Sequence, residues 1–144
     1  MQATWHHVAM AVRDIQRAKQ FYCDLLGFQI EWERESYSGE SFAKVVGLQN
    51  AVAYVVMLKG HGARLELFSY QEPLGNQPFA KRQCDFGLTH FAFSVKNIHG
   101  IYDRLSAAGV YFNCPPQNLR AGVWATYMQD PEGATIELVE YEGP

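Results

Sequence analysis

The sequence predicts an α+β fold built from two βαβββ repeats. Residues 4–27 alternate as a strand and then follow an amphipathic helical pattern, and residues 87–109 repeat that order. Residues 64–70 resemble residues 135–141 in the same way, so each half also ends on a similar strand. A unit of one helix and four strands covers one face of its sheet with the helix and leaves the other face open.

The first half begins with a predicted strand over residues 4–12, followed by Asp14 at the position of a helix N-cap. Gly27 stands where a left-handed residue ends a helix. Between them, apolar residues recur at spacings of three and four and define one buried helix face. The members of that face are Ile15, Ala18, Phe21, Tyr22, Leu25 and Leu26.

The second half repeats these signals. His90 to Val95 alternates as a strand, Asn97 takes the place of the N-cap, and Gly109 takes the place of the terminating glycine. The apolar helix face consists of Ile98, Ile101, Tyr102, Leu105 and Ala108. Aligning the two halves matches His7 to His90.

Three further strands are predicted in each half. The first half is the longer one, and we assign its extra residues to the polar, glycine- and serine-rich segment 36–50. The predicted strands cover about 28–35, 52–58 and 64–70 in the first half, and about 110–113, 122–128 and 134–141 in the second.

We expect one domain over residues 1–144, with halves of about 1–70 and 87–144 joined by a linker of about 71–86. The length of 144 residues leaves no room for a separate cofactor domain. Because each half exposes one sheet face, we expect the two sheets to form a U-shaped mixed sheet around a shared cleft. Exposed edge strands also predict a homodimer.

Composition excludes several classes of function. The formal net charge is −3 and no basic run occurs, so neither nucleic acid nor an anionic membrane is an expected partner. No segment is long and apolar enough to span a membrane, and the first residues lack the pattern of a secretory signal, so we expect a cytoplasmic protein. The three cysteines have no C-x-x-C spacing, which argues against a disulfide framework or a thiolate metal site.

Two histidines and two glutamates occupy matched positions of the repeat. Alternation places His7 on the side of its strand that carries small residues, and Glu66 projects opposite Leu65 and Leu67. His90 and Glu137 hold the corresponding positions in the second half. Taken singly, each would be an ordinary hydrogen-bonded or solvent-facing strand residue. Their symmetric placement favours a metal site, because a carboxylate inside a cleft is costly unless it is paired or bound to metal.

Several segments together resemble the vicinal oxygen chelate superfamily, which includes glyoxalase I, methylmalonyl-CoA epimerase, extradiol dioxygenases and the bleomycin and fosfomycin resistance proteins. The resemblance covers nearly the whole chain. It implies that His7, Glu66, His90 and Glu137 are the metal ligands, in a pattern nearest to that of glyoxalase I and the epimerase. The segments are HVAMAV, FYCDLLGF, RLELF, GLTHFAFSV and DPEGATIELVE.

Two imidazoles and two carboxylates suit a divalent ion such as Ni²⁺, Co²⁺, Mn²⁺, Fe²⁺ or Zn²⁺. The resemblance implies an enzyme that chelates vicinal oxygens of a small-molecule substrate, abstracts a proton and stabilises an enediolate, with Glu137 and Glu66 as the acid and base. Such an enzyme would be a lyase, isomerase or epimerase. An extradiol-type dioxygenase is less favoured, because that class uses two histidines and one carboxylate. A non-catalytic protein that binds a drug is the other alternative.

Overall fold

The computed structural model describes residues 1–76 and 82–143. The chain divides into two compact units, Met1–Pro78 and Phe79–Pro144, and each contains a four-stranded mixed sheet. The predicted α+β class with two βαβββ repeats is therefore confirmed. Of the predicted linker, residues 77–81 lie outside the described residues, and residues 71 and 72 extend the preceding strand instead.

In the first unit, the strands are arranged in the order β1-β4-β3-β2, with β1 parallel to β4 and the other pairs antiparallel. The first helix begins as α-helix and continues as a π-helical segment. The elements are β1 (Val8–Ala11), α1 (Ile15–Lys19), the π-helical segment (Gln20–Leu25), β2 (Gln29–Ser38), α2 (Glu40–Val46), β3 (Val52–Gly60) and β4 (Ala63–Glu72).

The second unit has the matching order β5-β8-β7-β6, with β5 parallel to β8. This agreement between the two sheets reflects the internal repeat. The elements are β5 (His90–Ser94), α3 (Ile98–Ala107), β6 (Gln117–Arg120), β7 (Val123–Gln129) and β8 (Thr135–Tyr141).

Both predicted helix starts are confirmed. The Asp14 carboxylate accepts hydrogen bonds from the backbone N–H groups of Gln16 and Arg17, at 3.1 and 3.0 Å. The Asn97 side chain accepts a bond from the N–H of Gly100. Gly27 has a φ of 81°, as the left-handed residue after a helix requires.

The helix of the first unit packs on one face of its sheet. Leu65 and Leu67 are 1% and 0% exposed on this face, and the hydroxyl of buried Tyr22 donates to the Met10 sulfur at 3.7 Å. Side chains alternate along β4, so Glu66 projects from the opposite face. In the second unit Ile136 and Leu138 are buried in the same way, on either side of Glu137.

One of the predicted strands is wrong. No strand forms over 110–113, where Phe112 makes only an isolated bridge to Met128, and β6 pairs with β7 instead. The segment 36–50, to which the extra residues of the first half were assigned, contains α2. Phe42 on α2 is 8% exposed and packs near Phe68, so burial of one aromatic side chain anchors this short helix to the open face of the sheet.

Among the residues that the structure describes, no helix is long and apolar enough to cross a membrane.

Candidate functional site

In the first unit, His7 and Glu66 form a close pair. The Nε2 atom of His7 lies 3.2 Å from the Oε2 atom of Glu66, and the two side chains are 35% and 14% exposed. His7 immediately precedes β1, and Glu66 lies in β4, the strand parallel to β1. The pair therefore joins two neighbouring strands on the face opposite α1.

The second unit contains the same arrangement. The Nε2 atom of His90 lies 3.2 Å from the Oε2 atom of Glu137, with side-chain exposures of 28% and 20%. Each pair has one partly exposed imidazole beside a more buried carboxylate. The structure thus brings the four predicted ligands together as two pairs, one in each unit.

Strand register explains why the pairs agree. Ala9 is the Cα partner of Glu66, and Ala92 is the Cα partner of Glu137. Each histidine stands two positions before that alanine, and hence on the same face of its strand. Alanine leaves space beside the carboxylate, which the imidazole two positions earlier on the same face can reach.

The second ring nitrogen of each histidine has its own partner. The Nδ1 atom of His7 lies 2.7 Å from the Nδ1 atom of His6, and the Nδ1 atom of His90 lies 3.0 Å from the Thr89 hydroxyl. Such a bond at Nδ1 fixes the ring orientation and keeps Nε2 directed towards the glutamate. Sequence reasoning assigned no role to His6 or Thr89, although both directly precede a predicted ligand.

Next to the glutamates the two units differ. The cross-strand partner of Glu66 on β3 is Met57, whereas the partner of Glu137 on β7 is Tyr127. The Tyr127 ring lies 4.8 Å from the His90 ring, centroid to centroid. Burial, and secondarily the charge of Glu137, raises the pKa of the Tyr127 hydroxyl above its ordinary value.

In the first unit, an aromatic cluster lies beyond Glu66 on the same face. Phe68 stacks against Tyr70 with ring centroids 5.6 Å apart, and Phe42 of α2 covers Phe68. Burial is the main cause of the raised pKa of the Tyr70 hydroxyl, and the Glu66 charge adds to it. Helix α2 therefore closes one end of this face and leaves the His7–Glu66 pair accessible.

The donor atoms of each pair suit a divalent metal ion. One imidazole nitrogen and one carboxylate oxygen are ligands that Zn²⁺ and similar ions bind at about 2.0–2.2 Å, and neighbouring ligands of one ion then lie about 3 Å apart. The observed separation of 3.2 Å fits this spacing. Within 1–76 and 82–143, no group of three or more His, Cys, Asp or Glu side chains is gathered for metal binding.

The family model of the Glyoxalase/Bleomycin resistance protein/Dioxygenase superfamily matches residues 4–138 of this sequence. This match covers almost the whole chain, including both histidine–glutamate pairs. The chain belongs to this superfamily.

Individual relatives agree with this assignment. The chain is 31% identical over 139 residues to the "Uncharacterized protein YaeR" of Escherichia coli, covering 94% of each protein. It is 26% identical over 135 residues to a "Probable lactoylglutathione lyase" of Synechocystis, covering 93% of this chain and 92% of the relative. A glyoxalase family protein from Bacillus cereus has the same fold, with a TM-score of 0.88, 21% identity, and coverage of 99% of this chain and 97% of that one.

Proposed function

We propose that this chain is a divalent-metal-dependent enzyme of the glyoxalase type, a lyase, isomerase or epimerase, that acts on a small molecule with two neighbouring oxygens. His7, Glu66, His90 and Glu137 are its metal ligands. The observation that carries the proposal is the repetition of one pair geometry, Nε2 to Oε2 at 3.2 Å, at matched positions of two sheets. Both pairs lie on the open face of their sheet, where a ligand can reach them.

The charges of these side chains support the same conclusion. Each pair offers a divalent ion one negatively charged carboxylate oxygen and one imidazole nitrogen that adds no charge. Hydrogen bonds between Nδ1 and His6 or Thr89 hold both imidazoles with Nε2 towards the carboxylates. This arrangement prepares the side chains for a ligand role before any ion arrives.

A bound divalent ion would supply Lewis-acid stabilisation of negative charge on the substrate oxygens. The protein would supply the proton transfer. Glu66 and Glu137 are the carboxylates on the open sheet faces beside the histidines, and either can accept a proton from a substrate C–H and return it to a neighbouring atom. Their partial burial, 14% and 20% exposed, limits competition by solvent for that proton.

Metal analysis of protein purified without chelator tests whether the four side chains bind a metal ion. We expect bound divalent metal in the unaltered protein and its loss in the double variant His7→Ala, His90→Ala. A matched control is the double variant His61→Ala, His99→Ala, which also removes two histidines but leaves both pairs intact. Equal metal content in the two double variants would overturn the ligand assignment.

Proton exchange tests the proposed proton transfer. In D₂O, the metal-loaded protein should catalyse C–H exchange on at least one member of a panel of α-hydroxyacyl compounds, thiohemiacetals and 2-methyl-acyl thioesters. Oxygen uptake without exchange would instead indicate a dioxygenase. Tight binding without exchange or oxygen uptake would indicate a protein that only sequesters its ligand.

A further inference from the structure

The connection that contains α2 belongs to the first unit alone. Residues 39–51 join β2 to β3, whereas only Ala121 and Gly122 join the corresponding strands β6 and β7 of the second unit. Ser38 at the end of β2 pairs with Val52 at the start of β3, so the sheet holds the two ends of the connection together. Helix α2 can therefore change its position while the strands on either side keep their pairing.

A glycine stands at each end of α2. Gly39 has φ 120° and ψ 161°, a conformation that in practice only glycine adopts, and Gly47 is left-handed with φ 71°. No heavy atom of the described residues lies within 4 Å of the place where either glycine would carry a Cβ. Side chains of Asp14 and Asn97 cap the other helices, but none within the described ranges caps α2. Both ends of α2 thus have the backbone freedom of a hinge.

The attachment of α2 to the sheet depends mainly on one side chain. Phe42 is the buried residue of this helix, and its ring lies 4.7 Å from the Tyr37 ring and 6.4 Å from the Phe68 ring, centroid to centroid. The half-buried Ala43 and Val46 add smaller contacts to the same cluster. Release of a single aromatic ring would therefore free the helix from the open face of the sheet.

Empty space lies beside α2. A cavity of about 610 Å³ separates one side of the helix, which presents Glu40, Ala43 and Lys44, from the following segment 48–52. A helix in a close-packed interior cannot shift without displacing its neighbours. Because this side of α2 borders a cavity, the helix can move into it without displacing other side chains.

We propose that α2 is a hinged gate on the open face of the first unit, which turns about Gly39 and Gly47 and lifts the Phe42 ring off Phe68. In the closed position the gate covers the part of this face that lies beyond Glu66. In the open position it admits a substrate that carries a bulky apolar group, and this role of the gate rests on the proposed function. The movement itself belongs to the first unit and requires no metal ion.

A cysteine placed beneath α2 measures the opening. Ala53 is 0% exposed and belongs to the same buried cluster as Phe42, so the thiol of Ala53→Cys reacts with iodoacetamide only when α2 moves away or the protein unfolds. Ala18→Cys is the matched probe, because Ala18 is also 0% exposed but lies on the capped helix α1. Mass spectrometry of the peptides gives the labelling rate at each position separately from that of the native cysteines.

We expect Ala53→Cys to react at least about 10-fold faster than Ala18→Cys under native conditions, because local opening costs less free energy than global unfolding. Equal rates at the two probes would overturn the gate. This result would leave the proposed function untouched, since metal content of the unaltered protein tests that function separately.

Filling the cavity should hold the gate closed. Added to Ala53→Cys, the change Ala43→Phe should slow labelling by about 10-fold, because the larger side chain takes up the space that the movement needs. Ala43→Leu is a smaller filling and is measured in parallel, so that a distortion caused by phenylalanine is recognised. The control Val45→Phe enlarges a residue that is 85% exposed on the same helix and should leave the rate unchanged. Absence of slowing in both Ala43 variants would also overturn the gate.

Discussion

The hydroxyl oxygen of Thr89 lies 3.0 Å from the Nδ1 atom of His90. This bond leaves Nε2 of His90 facing Glu137, and His6 has the same relation to His7 in the other unit. A partner at the remote nitrogen sets the tautomer and the direction of a ligating imidazole. The two halves of the chain thus achieve the same ring orientation with different residues.

Replacing this partner should weaken metal binding without unfolding the protein. We expect Thr89→Val to lower metal affinity by about 10- to 100-fold, because the His90 ring would lose its orienting bond while the side-chain shape is kept. The control is Thr4→Val, an exposed threonine of the first unit. Competition with a chelator of known affinity gives the measurement, and equal affinity in the two variants would exclude an orienting role for Thr89.

Neutralising either glutamate should reduce proton exchange. Glu66→Gln and Glu137→Gln keep the side-chain size but remove the basic oxygen, and removal of a general base costs about 10²- to 10⁴-fold in rate. The measurement is deuterium incorporation into the substrate by metal-loaded protein, at equal metal occupancy. If one variant keeps full exchange and the other loses it, the active base is identified. Full exchange in both would contradict the proposed roles.

Glu140 should make folding stability depend on pH. Its carboxylate accepts 2.8 Å hydrogen bonds from the backbone N–H groups of Asn97 and Ile98 at the start of α3. These bonds lower the pKa of Glu140 below its ordinary value. Stability from a depressed carboxyl pKa is fully present above the ordinary pKa and is lost as pH falls through the folded-state pKa.

We therefore expect Glu140→Gln to lower the free energy of unfolding at pH 7 by about 1 kcal/mol, the usual effect of losing a helix cap. The difference from the unaltered protein should disappear in strong acid, where Glu140 is protonated in both states. Urea titrations at pH 7 and near pH 2 measure both values. Asp103→Asn, an exposed carboxylate on the same helix, is the control and should show little effect at either pH.

Helix α2 should depend on one buried aromatic side chain. Phe42 is 8% exposed and contacts Tyr37 and Phe68, while Val45 on the same helix is 85% exposed. Phe42→Ala should lower the free energy of unfolding by about 3–5 kcal/mol, as for other buried phenylalanines. Val45→Ala should change it by less than about 0.5 kcal/mol. Equal losses would show that α2 does not depend on its contact with the sheet.

Local sequence signals predicted most of the fold. Asp14 and Asn97 mark helix starts because their side chains bond to the next backbone N–H groups, which depends only on nearby residues. Alternation in the strands likewise placed Glu66 and Glu137 on the face opposite buried aliphatics. The helix α2 and the true position of β6 escaped prediction, because each depends on contacts with residues distant in the sequence.

The position of Tyr127 in the site could not be predicted from local sequence either, because it also depends on contacts between residues distant in the sequence. Tyr127 lies beside Glu137 because β7 and β8 pair in one particular register, and the Asp130 side chain helps to fix the turn between them by accepting bonds from the N–H groups of Glu132 and Ala134. The sequence shows a tyrosine in a strand, but not which residue stands across from it. Cross-strand register requires both strands and their turn together.

The sequence by itself determined the repeat, the open face of each sheet and the four candidate ligands, because periodicity and internal symmetry are properties of the chain. Only the tertiary structure decided that His7 meets Glu66 and His90 meets Glu137 at the same 3.2 Å, and that His6, Thr89 and Tyr127 surround them. A distance between side chains on different strands depends on strand pairing and rotamer choice. Strand pairing and rotamers depend on packing across the whole sheet, and therefore on several segments of the chain together.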